Sequence, residues 1–228
     1  CFMLKNFDYR PVPTGWSLFE PFDDDIAHFA LVDHAQQGVN SGLNSVGLGL
    51  QISRSKCGDP SPERLESRTV LNAEVLSRFY DVTKAVSHIE NYASKNPTMF
   101  GGNVMLADRS RISITEYFNG RSHSEILEEG FLSRANHSIF GLIDNDVENS
   151  LTRHEEMTAF ADNLYQELPA LSDKEIVSRC QERLRTRPLL TENTRSSLVM
   201  DIRNKSVHYM VGAGPWKIFE FERETVLD

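Results

Sequence analysis

The sequence predicts an α+β fold in which helices pack on antiparallel sheets. Strand-type and helix-type segments come in blocks, in the order strands, two helices, strands, two helices, strands, whereas a parallel sheet would alternate the two along the chain. Short polar or glycine-rich turns separate the strands of the later blocks, which is the spacing of hairpins. The composition, 39% hydrophobic and 25% charged over 228 residues, is that of a globular domain. A chain of this length buries roughly 70% of the surface its unfolded form exposes, enough for a core without disulfides or structural metal. No internal repeat, low-complexity tract or linker divides it, so residues 1–228 read as one domain.

Residues 2–9 are rich in strand formers, and Pro11, Pro13 and Gly15 then stop them, so a short strand is followed by a loop reaching Asp25. His28 to His34 is a compact apolar run, and Val46 to Ser53 alternates apolar with small or polar residues, as a strand with one covered face does. Gly42, Gly47 and Gly49 point to tight turns or close backbone approach. From Ser61 the period changes: Leu65, Thr69, Val70, Ala73, Leu76 and Phe79 recur at helical steps, Val82 to Tyr92 repeats the pattern, and Asn96-Pro97 closes it. Strand signals return in Asn103 to Ala107, Arg111 to Phe118 and Ile126 to Ser133, with Asp108-Arg109-Ser110 as a hairpin turn. A helix beginning near Asn149 carries Met157, Phe160, Leu164 and Leu168 until Pro169, and Ser172 with Glu175 can cap the next, which carries Ile176, Val177, Cys180 and Leu184. Ser197 to Ile202, Val207 to Val211 and Lys217 to Phe221 form a final antiparallel meander.

Lys and Arg total 24 against 33 Asp and Glu, a formal charge of −9, which argues against binding the phosphate backbone of nucleic acid. No apolar run approaches the roughly 20 residues a bilayer span needs, and no basic segment followed by an apolar stretch marks a signal peptide. The expected location is cytoplasmic, with secretion after removal of a leader left open. The three cysteines, at 1, 57 and 180, form no CxxC pair, so neither a disulfide scaffold nor a zinc ribbon is indicated. The histidines show no HxxxH or HExxH spacing, and Gly212-x-Gly214 precedes a strand rather than a helix. Neither a zinc hydrolase nor a nucleotide loop fits, and no cofactor or metal is expected. Cys57 reads as an incidental loop thiol and Cys180 as core.

Cys1 carries the chemistry. An N-terminal cysteine offers a thiol nucleophile and an α-amine of pKa about 7.7 to 8.0 that can take the thiol proton. On position alone, Cys1 as nucleophile and Cys1 as merely the first residue stand equal.

Five segments, in order along the chain, break the tie: Asn6-Phe7-Asp8, Gly42-Leu43-Asn44-Ser45-Val46-Gly47-Leu48, Gly101 to Asp108, Arg134-Ala135-Asn136-His137, and Thr194 to Asp201. Together they resemble the N-terminal-nucleophile hydrolases of the choloylglycine hydrolase, penicillin V acylase and isopenicillin N acyltransferase type. The resemblance implies a four-layer αββα sandwich, with Cys1 as nucleophile and Asp8 as the carboxylate holding its amine and thiol. It implies Asn136 as a side-chain donor to the oxyanion and a backbone N–H of Ser53 or Arg54 as the second donor. Arg195 matches an arginine near the nucleophile, and Lys5 precedes Asn6 of the Asn-x-Asp element.

The reaction so implied is cofactor-free hydrolysis of a linear amide through a thioester on Cys1. The same site with an amine acceptor is an acyltransferase, and the fold without the chemistry is a binding module. Locally, Asp8 also reads as a turn acid, Asn136 as a loop or cap asparagine and Arg195 as a surface charge. The expected partners are a small acylated amide and further copies of the chain, as a dimer or tetramer. Acidic residues in 11–25 and 141–149 suggest a substrate without strong negative charge.

The chain departs from the family in one respect. Relatives place a hairpin between the cysteine and the Asn-x-Asp element, whereas four residues separate Cys1 from Asn6 here. Seven steps of extended strand put Cys1 about 23 Å from Asp8 at roughly 3.3 Å per residue. The two meet only if the chain turns sharply within residues 2–7.

Overall fold

The structure, a computed structural model, describes every residue except 9–13, 21, 34–37, 55–67, 98, 100, 139, 143–147 and 222–228. The first strands are β1 (Phe2–Asp8), β2 (Thr14–Phe19), β3 (His28–Asp33), β4 (Gly38–Asn44) and β5 (Gly49–Arg54). Helices α1 (Arg68–Arg78) and α2 (Val82–Lys95) follow, then strands β6 (Gly102–Ala107), β7 (Ile112–Phe118) and β8 (Arg121–Leu127). Helix α3 (Glu148–Glu167) runs through a 3-10 turn at Leu168–Ala170 to α4 (Asp173–Leu184), and β9 (Thr194–Asp201), β10 (Ser206–Val211) and β11 (Lys217–Glu220) complete the order. The predicted sequence of blocks is the one observed.

Strands β2 to β8 form a seven-stranded antiparallel meander in chain order, and β1-β9-β10-β11 form a four-stranded sheet. Helices α1 and α2 cover the outer face of the larger sheet, where Leu50, Leu71, Leu76, Ile89, Leu106 and Tyr117 are almost fully buried. Met3, Leu43, Leu198, Met200 and Val207 fill the space between the sheets. Trp16, Phe29 and Phe219 stack at its rim, with ring centroids 5.3 Å and 4.1 Å apart in successive pairs. Helices α3 and α4 cover the smaller sheet through Ile176, Val177, Cys180 and Leu184, with Phe160 and Leu164 packed beside them. The layers are therefore αββα, and Cys180 is the core residue its helical position predicts. Ser172 and Glu175 cap α4 reciprocally as the sequence indicates.

Four segments differ from expectation. Residues Thr14–Phe19, expected as loop because prolines and a glycine precede and enter them, form β2, an edge strand of the larger sheet in which Leu18 and Phe19 are exposed. Gly38–Asn44, unassigned in the sequence, forms β4, buried on both faces although it holds two glycines, two asparagines and a serine. The strand expected over Val46–Ser53 begins at Gly49, because residues 45–47 turn through Gly47 at φ +95°. At the other edge, β8 ends at Leu127 rather than running on to Ser133; its Arg-Ser-His-Ser-Glu start is polar because an edge strand needs only one covered face.

The glycines of β4 and β5 do different work. A Cβ on Gly42 would meet the Phe29 carbonyl at 2.8 Å, Ala30 Cβ at 2.9 Å and Leu76 at 2.9 Å, so Gly42 sets how closely α1 approaches the sheet. A Cβ on Gly49 would meet the side-chain ends of Ile202 at 2.6 Å and Met3 at 2.8 Å, which can rotate away. Gly42→Ala is expected to cost about 1–3 kcal/mol, as overpacking does, and Gly49→Ala less. Urea denaturation of the two variants checks the order.

Candidate active site

Strand β1 is an edge strand of its sheet, paired on one side with β9 from Phe2↔Asp201 to Asp8↔Thr194. Its side chains alternate. Met3 and Lys5 face the larger sheet, whereas Phe2, Leu4, Asn6 and Asp8 face α3 and α4. A cavity of about 360 Å³ runs along β1, with Cys1 and Asp8 both in its wall. Much of its length is apolar, lined by Met157, Phe160 and Leu164 of α3 and Ile176 and Leu184 of α4. Toward the C-terminal end of β1 it becomes polar, with Asp8, Ser53, Asn136 and Arg153 in the wall.

The polar end is a connected network. Asp8 accepts a hydrogen bond from the Thr194 hydroxyl at 2.6 Å and an ion pair from Arg153 Nη1 at 3.3 Å. The other nitrogen of the same guanidinium, Nη2, donates to Asn136 Oδ1 at 3.0 Å. The Asn136 backbone N–H donates to Ser150 Oγ at 2.6 Å, and Ser150 Oγ also meets His137 Nδ1 at 3.0 Å. Ser53 donates to the Ala135 carbonyl at 2.7 Å, which fixes the end of β5 beside the Asn136 segment.

Lys5 extends its ammonium to Asn40 Oδ1 at 2.7 Å, to Ser41 Oγ at 3.2 Å and to the Ile52 carbonyl, joining the two sheets beneath the cavity. Asn6 donates both amide hydrogens to main-chain carbonyls, Leu184 at 3.0 Å and Leu189 at 2.9 Å. Those bonds satisfy a carbonyl left open at the end of α4, so Asn6 holds helix to strand. Its Oδ1 is buried with no partner among the described residues.

The structure brings Asp8, Asn136 and Ser53 together and leaves two predicted residues elsewhere. Strand β1 is continuous, so Cys1 lies at its opposite end, about 23 Å from Asp8 along an extended strand, where its carbonyl accepts from Ile202 N at 3.0 Å. The expectation that Asp8 holds the amine and thiol of Cys1 therefore fails in this register. Arg195 is the extra residue of a bulge in β9 opposite the Phe7–Asp8 step and is not part of the cavity wall. The arginine at the site is Arg153, which the sequence does not single out because it sits in a polar helix turn without a motif. Arg54 ends β5 opposite Gly102, its side chain outside the described part; Cys57 also lies outside the described residues. No group of three or more His, Cys, Asp or Glu side chains arranged to hold a metal ion occurs among the described residues. None of the described helices is long and apolar enough to cross a membrane.

Neither a protein-family model nor a curated protein matches this sequence. Solved structures do. Penicillin V acylase from Agrobacterium tumefaciens superimposes with a TM-score of 0.67 at 16% identity, covering 96% of this chain and 82% of the other. The R18L variant of conjugated bile acid hydrolase from Clostridium perfringens gives 0.61 at 11% identity, covering 95% and 87%. The Caenorhabditis elegans ortholog of N-acylethanolamine-hydrolyzing acid amidase gives 0.55 at 13%, covering 88% and 87%. The fold they share with this chain is the N-terminal-nucleophile hydrolase sandwich of the choloylglycine hydrolase type.

Two measurements check the electrostatics. His28, His137, His154 and His208 are all lowered from the usual histidine value of 6.5, chiefly by burial. Below pH 6.5 the unfolded chain takes up protons that the folded histidines resist, so stability is complete above that pH and declines as pH falls toward their folded values. Urea midpoints are expected to drop between pH 7 and 5.5. Burial pushes the Cys180 thiol up to about 12, while Cys1 is exposed. A thiol reagent at pH 7 is expected to label Cys1 in the folded protein and Cys180 only after denaturation, as peptide mass mapping reads out.

Proposed function

We propose that this protein hydrolyses a linear amide bearing an apolar acyl group, with the scissile carbonyl at the Asp8–Asn136 end of the cavity. The observation that carries the reading is the junction between an apolar length, suited to the acyl group, and a compact polar network at one end. The carbonyl oxygen becomes negative as a nucleophile attacks, and the Asn136 side-chain amide is the group to stabilise it. A backbone N–H near Ser53, beside Ala135, is the second donor. Asp8, held by Thr194 and Arg153, places its carboxyl group beside the attacked carbonyl, where it can orient the attacking group. The three solved neighbours are all amide hydrolases, which supports the reaction class.

A second reading keeps Cys1 as the nucleophile. Its support is the place of Cys1 in the cavity wall, where the residue is exposed. In that reading the thiol attacks the carbonyl, the amine returns its proton to the leaving nitrogen, and water cleaves the thioester. An amine in place of water makes the same intermediate an acyl donor. For Cys1 to act at the Asn136 end, residues 2–7 must leave their register with β9.

Turnover of phenylacetyl-p-nitroanilide by the protein expressed from its own gene separates the readings. Asn136→Ala is expected to lower kcat by about 100-fold or more, the usual cost of one oxyanion donor, and Asp8→Asn is expected to lower kcat as well. Loss of all turnover in Cys1→Ala supports the second reading; turnover within threefold of wild type assigns the nucleophile to another group. A wild-type protein inert toward acyl anilides of short and long chain length contradicts both.

A further inference from the structure

We infer that Arg153, supported by Ser150, is a positioning residue that decides which end of the Asn136 carboxamide faces the cavity. The inference rests on the reading of Asn136 as oxyanion donor. A carboxamide has two chemically opposite ends, an oxygen that accepts and a nitrogen that donates two hydrogens. Only the nitrogen end stabilises a developing oxyanion; the oxygen end repels it.

The contacts from α3 remove the ambiguity. Arg153 Nη2 donates to Asn136 Oδ1 at 3.0 Å, so the oxygen is turned to the guanidinium and the nitrogen away from it. The guanidinium cannot rotate freely, because its Nη1 pairs with Asp8 Oδ2 at 3.3 Å. Ser150 pins the other end of the same residue by accepting the Asn136 backbone N–H at 2.6 Å. His154 meets the Ser133 carbonyl at 3.0 Å. Ser150, Arg153 and His154 stand at positions i, i+3 and i+4 of α3, one face of a helix, and together they grip residues 133–137. Arginine suits the role because it stays charged at every working pH and reaches two acceptors with one rigid fork. A lysine in its place keeps the charge but lacks the fork, carrying all its donors on one nitrogen.

The test combines kinetics with a signal that needs no turnover. In Arg153→Met, kcat for phenylacetyl-p-nitroanilide is expected to fall about 10- to 100-fold, part of the cost of losing one oxyanion donor, with KM within threefold. Arg153→Lys is expected to recover a minor part of kcat, and Ser150→Ala to lower it less than Arg153→Met. The ¹⁵N side-chain amide resonance of Asn136, assigned by its disappearance in Asn136→Asp, is expected to move toward that of a solvated asparagine in Arg153→Met and Arg153→Lys. An unmoved resonance, or a kinetic loss confined to KM, overturns the inference. Should wild type turn over no linear amide, the proposed function falls and the resonance alone decides whether Arg153 positions Asn136.

Discussion

The pairing of β1 with β9 along its whole length, from Phe2↔Asp201 to Asp8↔Thr194 with one bulge at the Phe7–Asp8 step, is the constraint on which the rest depends. It places alternate β1 side chains in two layers, so that Lys5 reaches across to the larger sheet while Asn6 and Asp8 serve the helix layer. It leaves the other edge of the strand along the cavity. It also separates the two groups that the sequence resemblance joins, since a strand of this length cannot bring Cys1 and Asp8 to one point. The proposed chemistry therefore depends on which group reaches the Asp8 end of the cavity, not on which residues lie close in sequence.

Side-chain amides act as joints throughout the sandwich. Asn6 closes the end of α4, and Asn44 does the same for α1 by donating to the Leu76 and Phe79 carbonyls at 3.0 Å and 2.8 Å. Asn44 also accepts from Leu48 N at 2.7 Å, which closes the turn between β4 and β5. Asp108 accepts from Val82 N at 2.8 Å to start α2, and from Ser110 and Arg111 N–H groups in its own turn. Several of the short segments that mark the fold in the sequence thus owe their polar residues to architecture: a buried helix end needs a partner for its open groups. Asn136 differs, because the group its amide oxygen meets is a cation tied to Asp8.

This explains what the sequence makes legible and what it hides. The block order, the αββα layering and the capping box of α4 follow from periodicity and turn chemistry, which are local. Strand β4 escapes because tertiary burial, not alternation, makes Gly-Val-Asn-Ser-Gly-Leu-Asn a strand; β2 escapes because it follows a proline-rich stretch, and the start of β8 because Arg-Ser-His-Ser-Glu is polar at every position. Of the site, Asp8, Ser53 and Asn136 are readable from motifs. Arg153 and Ser150 are not, since their role depends on α3 packing beside residues 133–137, a contact no local pattern encodes. Arg195, readable as the site arginine, is the extra residue of the β9 bulge.

The most direct measurement of the account is a crystal structure of the protein with a long-chain fatty acid bound, the carboxylic product of the proposed hydrolysis. The carboxylate is expected at the Asn136 amide, with the acyl chain lying along β1 between α3 and α4. A carboxylate bound at the Cys1 end, or an acyl chain outside the cavity, would contradict it.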